Sequence, residues 1–364
     1  MTERAAEVKS KLAMIRQSLE TADAGAIRLR GTDWFDWATA GGSNTVLLAQ
    51  ETGIAEVLVT ATDAWILTDE IEAARLRNEE LTPVVGLQVF PWEDASQRES
   101  FVADIAAGKS VLSDRPQDRE QALPAQLIAR KRTLMPSEIK RYRKVGRLAA
   151  AAMTEVMLAA QPGWSEYELA GAGAEAMWAR GLHPALTLAA GERRVLAYRH
   201  PVPSENTLDG YAMLVFCARK YGLYANLTRF VSFRKLSPAQ AKQHRQIMEI
   251  EAIALDATQA GNSLDRVYAA LAEAYAARGW HEAIKAHHQG GSTGYLAREI
   301  VATPATRDRI EASQAYAWNP SVPGVKVEDT FLLGDYDELD NLTGDAAWPS
   351  VKVQDRLRPW PMER

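Results

Sequence analysis

The chain has 364 residues, 47% apolar and 24% charged, a net charge of −5 and a single cysteine, Cys217. That length suffices for two domains and lets about three quarters of the unfolded surface be buried, as in a globular protein. The near-balanced charge with no basic block argues against nucleic acid, no apolar run reaches a membrane span, and one cysteine rules out an internal disulfide, which suits a reducing cytoplasm.

The charged first segment, with Val8, Leu12, Ile15 and Leu19 at helical spacing, predicts an amphipathic helix over 2–19. It lacks the apolar core of a signal peptide, so a cytoplasmic location is expected. Ala26 to Arg30 reads as a strand. A turn-rich stretch carrying Trp34, Phe35 and Trp37 follows, then strands at 46–48, 57–59 and 65–68 and a helix at 69–80. The alternation predicts an α/β domain over 1–122 that ends in a charged, proline-bearing linker.

Pro136-Ser137-Glu138 opens a long helix reaching 160, Pro162-Gly163 ends it, and Ser165-Glu166 caps the next. Helices are also expected over 239–258 and 262–278. Set among antiparallel strands, they predict an α+β domain over 123–364. Its centre is the stretch from Gly210 to Phe233, where apolar residues at strand density flank Lys220-Tyr221-Gly222 and predict a buried hairpin. The second arm holds Asn226, Thr228 and Arg229, a polar cluster that is costly in an apolar strand unless paired or used.

This hairpin and the Pro-Ser-x-x-Lys lead at 136–140 resemble the pita-bread fold family of aminopeptidase P, prolidase, methionine aminopeptidase and creatinase, over nearly the whole chain. The resemblance implies a creatinase/prolidase-type α/β domain followed by a pita-bread catalytic domain. In the metal-dependent members two aspartates, one histidine and two glutamates hold a pair of divalent metals. The matching positions here are Val215, Asn226, Gly291, Asn319 and Glu328, so a single carboxylate remains. Hard cations need anionic oxygens, and the expectation is therefore that no metal or other cofactor is bound. Adjacent histidines on an extended strand face opposite ways, so His287 and His288 are not expected to share an ion, and a single ion held by His200, one of that pair and Glu328 is the less favoured alternative.

Creatinase, within the same resemblance, hydrolyses without metal and uses a histidine just ahead of the central hairpin. His200, in Tyr198-Arg199-His200-Pro201, stands at that place and is expected to be the general acid and base. Glu328 would orient it or bind a cationic substrate group, while Asp329 should face away. Asn226, Arg229, His287, His288, Gln289, Arg298, Asn319 and Lys326 are expected to line the substrate site. Arg229 is also readable as structural, and Arg298, where the family often has histidine, suits a carboxylate. Trp34 and Trp37 would cover the site from a partner subunit. The function implied is metal-independent cleavage of a C–N bond in a small carboxylate-bearing substrate by a cytoplasmic homodimer with no nucleic-acid or membrane partner. A lyase or isomerase would use the same acid and base chemistry. A non-catalytic binding or scaffold protein of this fold, or a divergent Xaa-Pro metallopeptidase, are the alternatives.

Overall fold

In the computed structural model, which describes residues 2–364, Thr2 Oγ1 accepts from Ala5 N at 3.2 Å and caps the first helix, α1 (Glu3–Ala22). The first of two compact units, Met1–Glu138, continues through β1 (Ala26–Gly31), α2 (Thr32–Ala38), β2 (Thr52–Val59) and β3 (Ala64–Asp69). A short helix, α3 (Ala73–Arg75), runs into a π-turn over Leu76–Glu80. β4 (Gly86–Phe90), α4 (Ala95–Ala106), β5 (Val111–Ser113), β6 (Gln121–Ala122) and α5 (Ala125–Arg132) complete the unit. The strands form one mixed sheet in the order β4-β3-β2-β1-β5-β6, with the wholly buried β1 near its middle.

Two expectations are corrected in this unit. Residues 46–48 form no strand. Val46, Leu47 and Leu48 are 53%, 60% and 47% exposed in a bend ahead of β2, because three apolar residues between turn formers find no sheet edge to join. The stretch read as a turn around the tryptophans is the helix α2, and Trp34 and Trp37 are only 4% and 1% exposed. Lys131 Nζ stands 5.1 Å from the Trp34 ring centre and Lys11 Nζ 5.3 Å from that of Trp37. Both rings are core of their own unit and offer no face to a ligand.

The second unit, Ile139–Arg364, takes up the chain inside the long helix α6 (Pro136–Ala159). α7 (Glu166–Trp178) starts at a reciprocal capping box between Ser165 and Glu168. β7 (His183–Gly191) and α8 (Glu192–Ala197) lead to the central hairpin, β8 (Tyr211–Lys220) and β9 (Leu223–Ser232). Tyr221 and Gly222 turn it with φ of +56° and +79°, the pair of left-handed residues that a type I′ turn requires. The register that follows sets Val215 opposite Thr228 and Cys217 opposite Asn226.

α9 (Pro238–Ala257), with its own capping box and a proline in its first turn, and α10 (Leu264–Ala277) pack together against the second sheet. That sheet comprises β10 (Gly290–Thr293), β11 (Ile300–Val301) and β12 (Ala315–Trp318), and, after the small hairpin of β13 (Ser321–Val322) and β14 (Val325–Lys326), β15 (Asp329–Leu333) and β16 (Leu339–Asn341). β17 (Ser350–Val353) and β18 (Arg356–Pro359) form a hairpin. β19 (Met362–Glu363) pairs with β9. Among the described residues no helix is long and apolar enough to cross a membrane.

The two sheets of this unit join along β9 and β15. Thr228 N donates to Glu328 O at 3.0 Å, and Thr330 Oγ1 both accepts from Asn226 N at 2.8 Å and donates to Asn226 O at 3.0 Å. Behind the seam runs a buried chain of charge. Arg229 Nη2 donates to Asp329 Oδ1 at 2.7 Å, Arg358 Nη2 stands 2.9 Å from Asp329 Oδ2, and Arg358 grips Glu251 through two bonds of 2.6 Å. Each charge is matched, and removing one partner strands the others in the interior. Arg358→Met is expected to cost about 3–5 kcal/mol, measured by denaturant unfolding. A loss below about 1 kcal/mol, the range of an exposed pair, would show that the chain is dispensable.

Candidate functional site

The seam places Glu328 immediately before β15 and only 2% exposed. Burial works to raise its pKa, but Lys326 and then Arg298 overcome that effect and hold the carboxyl at about 2. Lys326 Nζ lies 3.2 Å from Oε2, Arg298 Nη2 donates to Oε1, and Thr228 Oγ1 donates to Oε2 at 3.1 Å. The carboxylate thus carries two cations, which favour its charged form. Asp329, on the other side of the strand by alternation, joins the charge chain behind the seam and also accepts from Thr343 Oγ1 at 2.6 Å.

The hairpin and the turn after β12 supply the neighbouring groups. Asn226 Nδ2 donates to Thr293 Oγ1 at 3.0 Å, leaving Oδ1 buried without a partner. Asn319 N donates to Gln289 O at 3.1 Å, and the Asn319 Oδ1 is likewise buried and unpartnered. Cys217 shares a strand face with Asn226, and burial, with Glu328 adding to it, pushes its thiol up to about 12. The sequence reads Thr228 as part of the hairpin's polar cluster and Cys217 as a residue of its first arm, but joins neither to Glu328. The period-2 pattern of the hairpin was the available signal, since it puts both on the face that carries Asn226.

Three histidines converge beside this cluster. His200 Nε2 and His287 Nε2 are 2.6 Å apart, the rings of His287 and His288 are 4.3 Å apart between centres, and those of His200 and His288 are 5.7 Å apart. The expectation that His287 and His288 diverge is therefore corrected. They follow a 3-10 turn over Ala283–Ala286 and precede the first strand residue, Gly290, so strand alternation does not apply to them. His287 Nδ1 contacts the carbonyl of His288. A carbonyl only accepts, so Nδ1 carries the hydrogen and His287 Nε2 is the acceptor. His200 Nε2 is then the donor in the neutral pair, and the basic nitrogen of His200 is Nδ1. Burial lowers the pKa of all three rings. Lys326 adds to the effect on His200 and His287, the latter reaching about 3, and Arg298 adds to it on His288, which reaches about 4.

Other expected site residues serve the framework. Arg229 is spent on Asp329, on the carbonyls of Thr228 and Thr343, and on the charge chain behind the seam. Gln289 is fully buried. Its Oε1 accepts from Tyr275 Oη at 2.9 Å and its Nε2 donates to the carbonyls of Ile284 and His287. His200 and Glu328 do not touch. They sense each other only through space, and His200's hydrogen-bond partner is His287.

The positions that hold metals in the metal-dependent members do not fit a pair of divalent cations here. Val215 packs into an apolar cluster with Leu188, Met213 and Phe230. At Gly291 a Cβ would meet Ile300 O at 2.0 Å, so the backbone path itself admits no side chain. Of the five, Glu328 alone is anionic, and two side-chain cations already neutralise it.

Comparison with known proteins places this arrangement. No curated protein matches the chain. Among solved structures it is similar to the prolidase of Pyrococcus horikoshii OT3, with a TM-score of 0.77 and 18% identity over 92% of this chain and 98% of that one. The Xaa-Pro dipeptidase of Bacillus anthracis superposes with a TM-score of 0.76 at 16% identity, covering 98% of this chain and 100% of that one. The N-terminal domain of the FACT complex subunit SPT16 from chickpea gives 0.72 at 13% identity, over 93% and 96%. At such identities the likeness is one of fold, the pita-bread catalytic unit with its amino-terminal domain. Residues 140–335 match metallopeptidase family M24. With that match running over more than half of its length, this chain belongs to metallopeptidase family M24.

Proposed function

We propose that this protein is a hydrolase of the creatinase kind, cleaving a C–N bond in a small carboxylate-bearing substrate without a metal. One observation carries the reading: Lys326 and Arg298 stand on Glu328, the one carboxylate kept from the family's ligand set. Two cations against one carboxylate leave a surplus positive charge. It repels a divalent ion from the family position and favours an anionic substrate group. The unpartnered Oδ1 atoms of Asn226 and Asn319 add neutral acceptors for the substrate's N–H groups.

His200 moves the protons. Its Nδ1 takes a proton from water as the water oxygen bonds to the carbon of the scissile C–N bond. The C–N electron pair then passes to nitrogen, which receives the proton back from His200, so one water is added across the bond. His287 holds the imidazole through the Nε2 contact at 2.6 Å.

The test is turnover of N-acyl and amidino derivatives of amino acids by the full chain in the presence of a strong chelator, followed as amine release. Turnover that survives chelation supports the reading. Turnover that appears only with added manganese, cobalt or zinc overturns it in favour of a divergent Xaa-Pro peptidase. Once a substrate is found, His200→Ala is expected to lower kcat by about two to four orders of magnitude, and undiminished turnover would remove His200 from the reaction. Lys326→Gln should raise KM about tenfold for a carboxylate-bearing substrate and leave KM for the corresponding primary amide unchanged, since about 1.4 kcal/mol is tenfold. An equal rise for both would mean that Lys326 acts only on the fold.

A further inference from the structure

We infer that His200, His287 and His288 form a binding site for a single first-row transition-metal ion such as Zn2+ or Cu2+, separate from the family's metal position. The ligand nitrogens of the three rings all lie within 4.8 Å of one another. Zinc–nitrogen bonds of about 2.0–2.1 Å in a tetrahedron put the nitrogens about 3.4 Å apart. The His200–His287 contact of 2.6 Å is shorter than that value and the other ligand atoms lie within 4.8 Å, so small ring rotations close the site.

The local bonding prepares at least one ligand. His287 holds its hydrogen on Nδ1 against the carbonyl of His288, which leaves the Nε2 lone pair for a metal. His288 brings a buried Nδ1 with no protein partner. Imidazole nitrogens without carboxylates suit zinc, copper and nickel and not calcium or magnesium. The surrounding charges set the remaining ligand. Lys326 and Arg298 act against a cation at His200 and His288 and Glu328 acts for it, two positive charges against one negative. The ion therefore takes its fourth ligand as an anion, hydroxide or a carboxylate. This second half of the inference rests on the proton-carrying role given above to His200: an ion on that imidazole removes the base, so the metal is an inhibitor of the hydrolase.

The experiment is equilibrium dialysis of the chelator-stripped full chain against micromolar Zn2+, with the bound metal counted by mass spectrometry. One equivalent is expected for the wild type, with affinity lowered at least tenfold in His287→Ala and in His288→Ala. His281→Ala, an exposed histidine outside the cluster, should bind as the wild type does. With Cu2+, electron paramagnetic resonance should show imidazole nitrogen couplings that disappear in His287→Ala. No bound zinc, equal loss in the His281 variant, or unchanged binding in both cluster variants would each overturn the site. These readouts need no substrate, so they decide the metal site even if the hydrolase reading fails. Where turnover exists, filling the site should abolish it, and turnover persisting with one zinc bound would overturn the inhibitory role alone.

Discussion

A carboxylate kept in the interior must be neutralised, and at Glu328 that requirement organises everything around it. In the fold's metal-dependent form the neutralising charge is a pair of ions. Here it is a lysine two residues upstream and an arginine brought in by the loop before β11. The exchange has consequences for each neighbour. Asn226 and Asn319 stand without charge where a metal centre needs it, and Val215 sinks into an apolar cluster because nothing there requires solvation. The cations on Glu328 also reach the histidines, and their field adds to burial in keeping those rings neutral.

Strand alternation divides the seam between two tasks. One residue, Glu328, faces the polar cluster, and the next, Asp329, is bound into the buried charge chain of Arg229, Arg358 and Glu251. A side chain so fully paired cannot slide, so the register of β15 against β9 is held by charge as well as by backbone bonds. Pre-organisation of the site is thus built from behind. Thr228 links the two tasks, since its N–H bonds the backbone of Glu328 and its hydroxyl bonds the carboxylate.

Membership of a family named for metallopeptidases does not by itself carry the family's chemistry, because the residues that do the chemistry are a small graft on a large frame. The frame is kept here in the type I′ hairpin, the capped helices and the two joined sheets. The solved structures that share it include a prolidase and a domain of a FACT complex subunit, at nearly equal TM-scores. Fold similarity alone therefore does not choose between functions, and the side chains at the seam must.

What the sequence by itself determined is what neighbouring residues dictate. The helices at 3–22, 136–159, 238–257 and 264–277 follow from apolar spacing and from caps a few residues away. The central hairpin follows from Tyr221-Gly222 between two apolar runs, and the change at the metal positions is legible residue by residue. Even locally, short signals misled: 46–48 has strand composition but no edge to pair with, and 32–38 has loop-like aromatics that a helix buries. Tertiary structure alone decided which distant groups meet. Arg298 and Glu328 are 30 positions apart and His200 and His287 are 87 apart, and nothing in either local pattern announces the partner. His287 and His288 converge because the chain is not yet a strand where they stand, a point of backbone path that the letters His-His do not carry. Charge pairing and ring contact are set by three-dimensional packing and register, and a one-dimensional pattern reaches only as far as a turn of helix or the next strand residue.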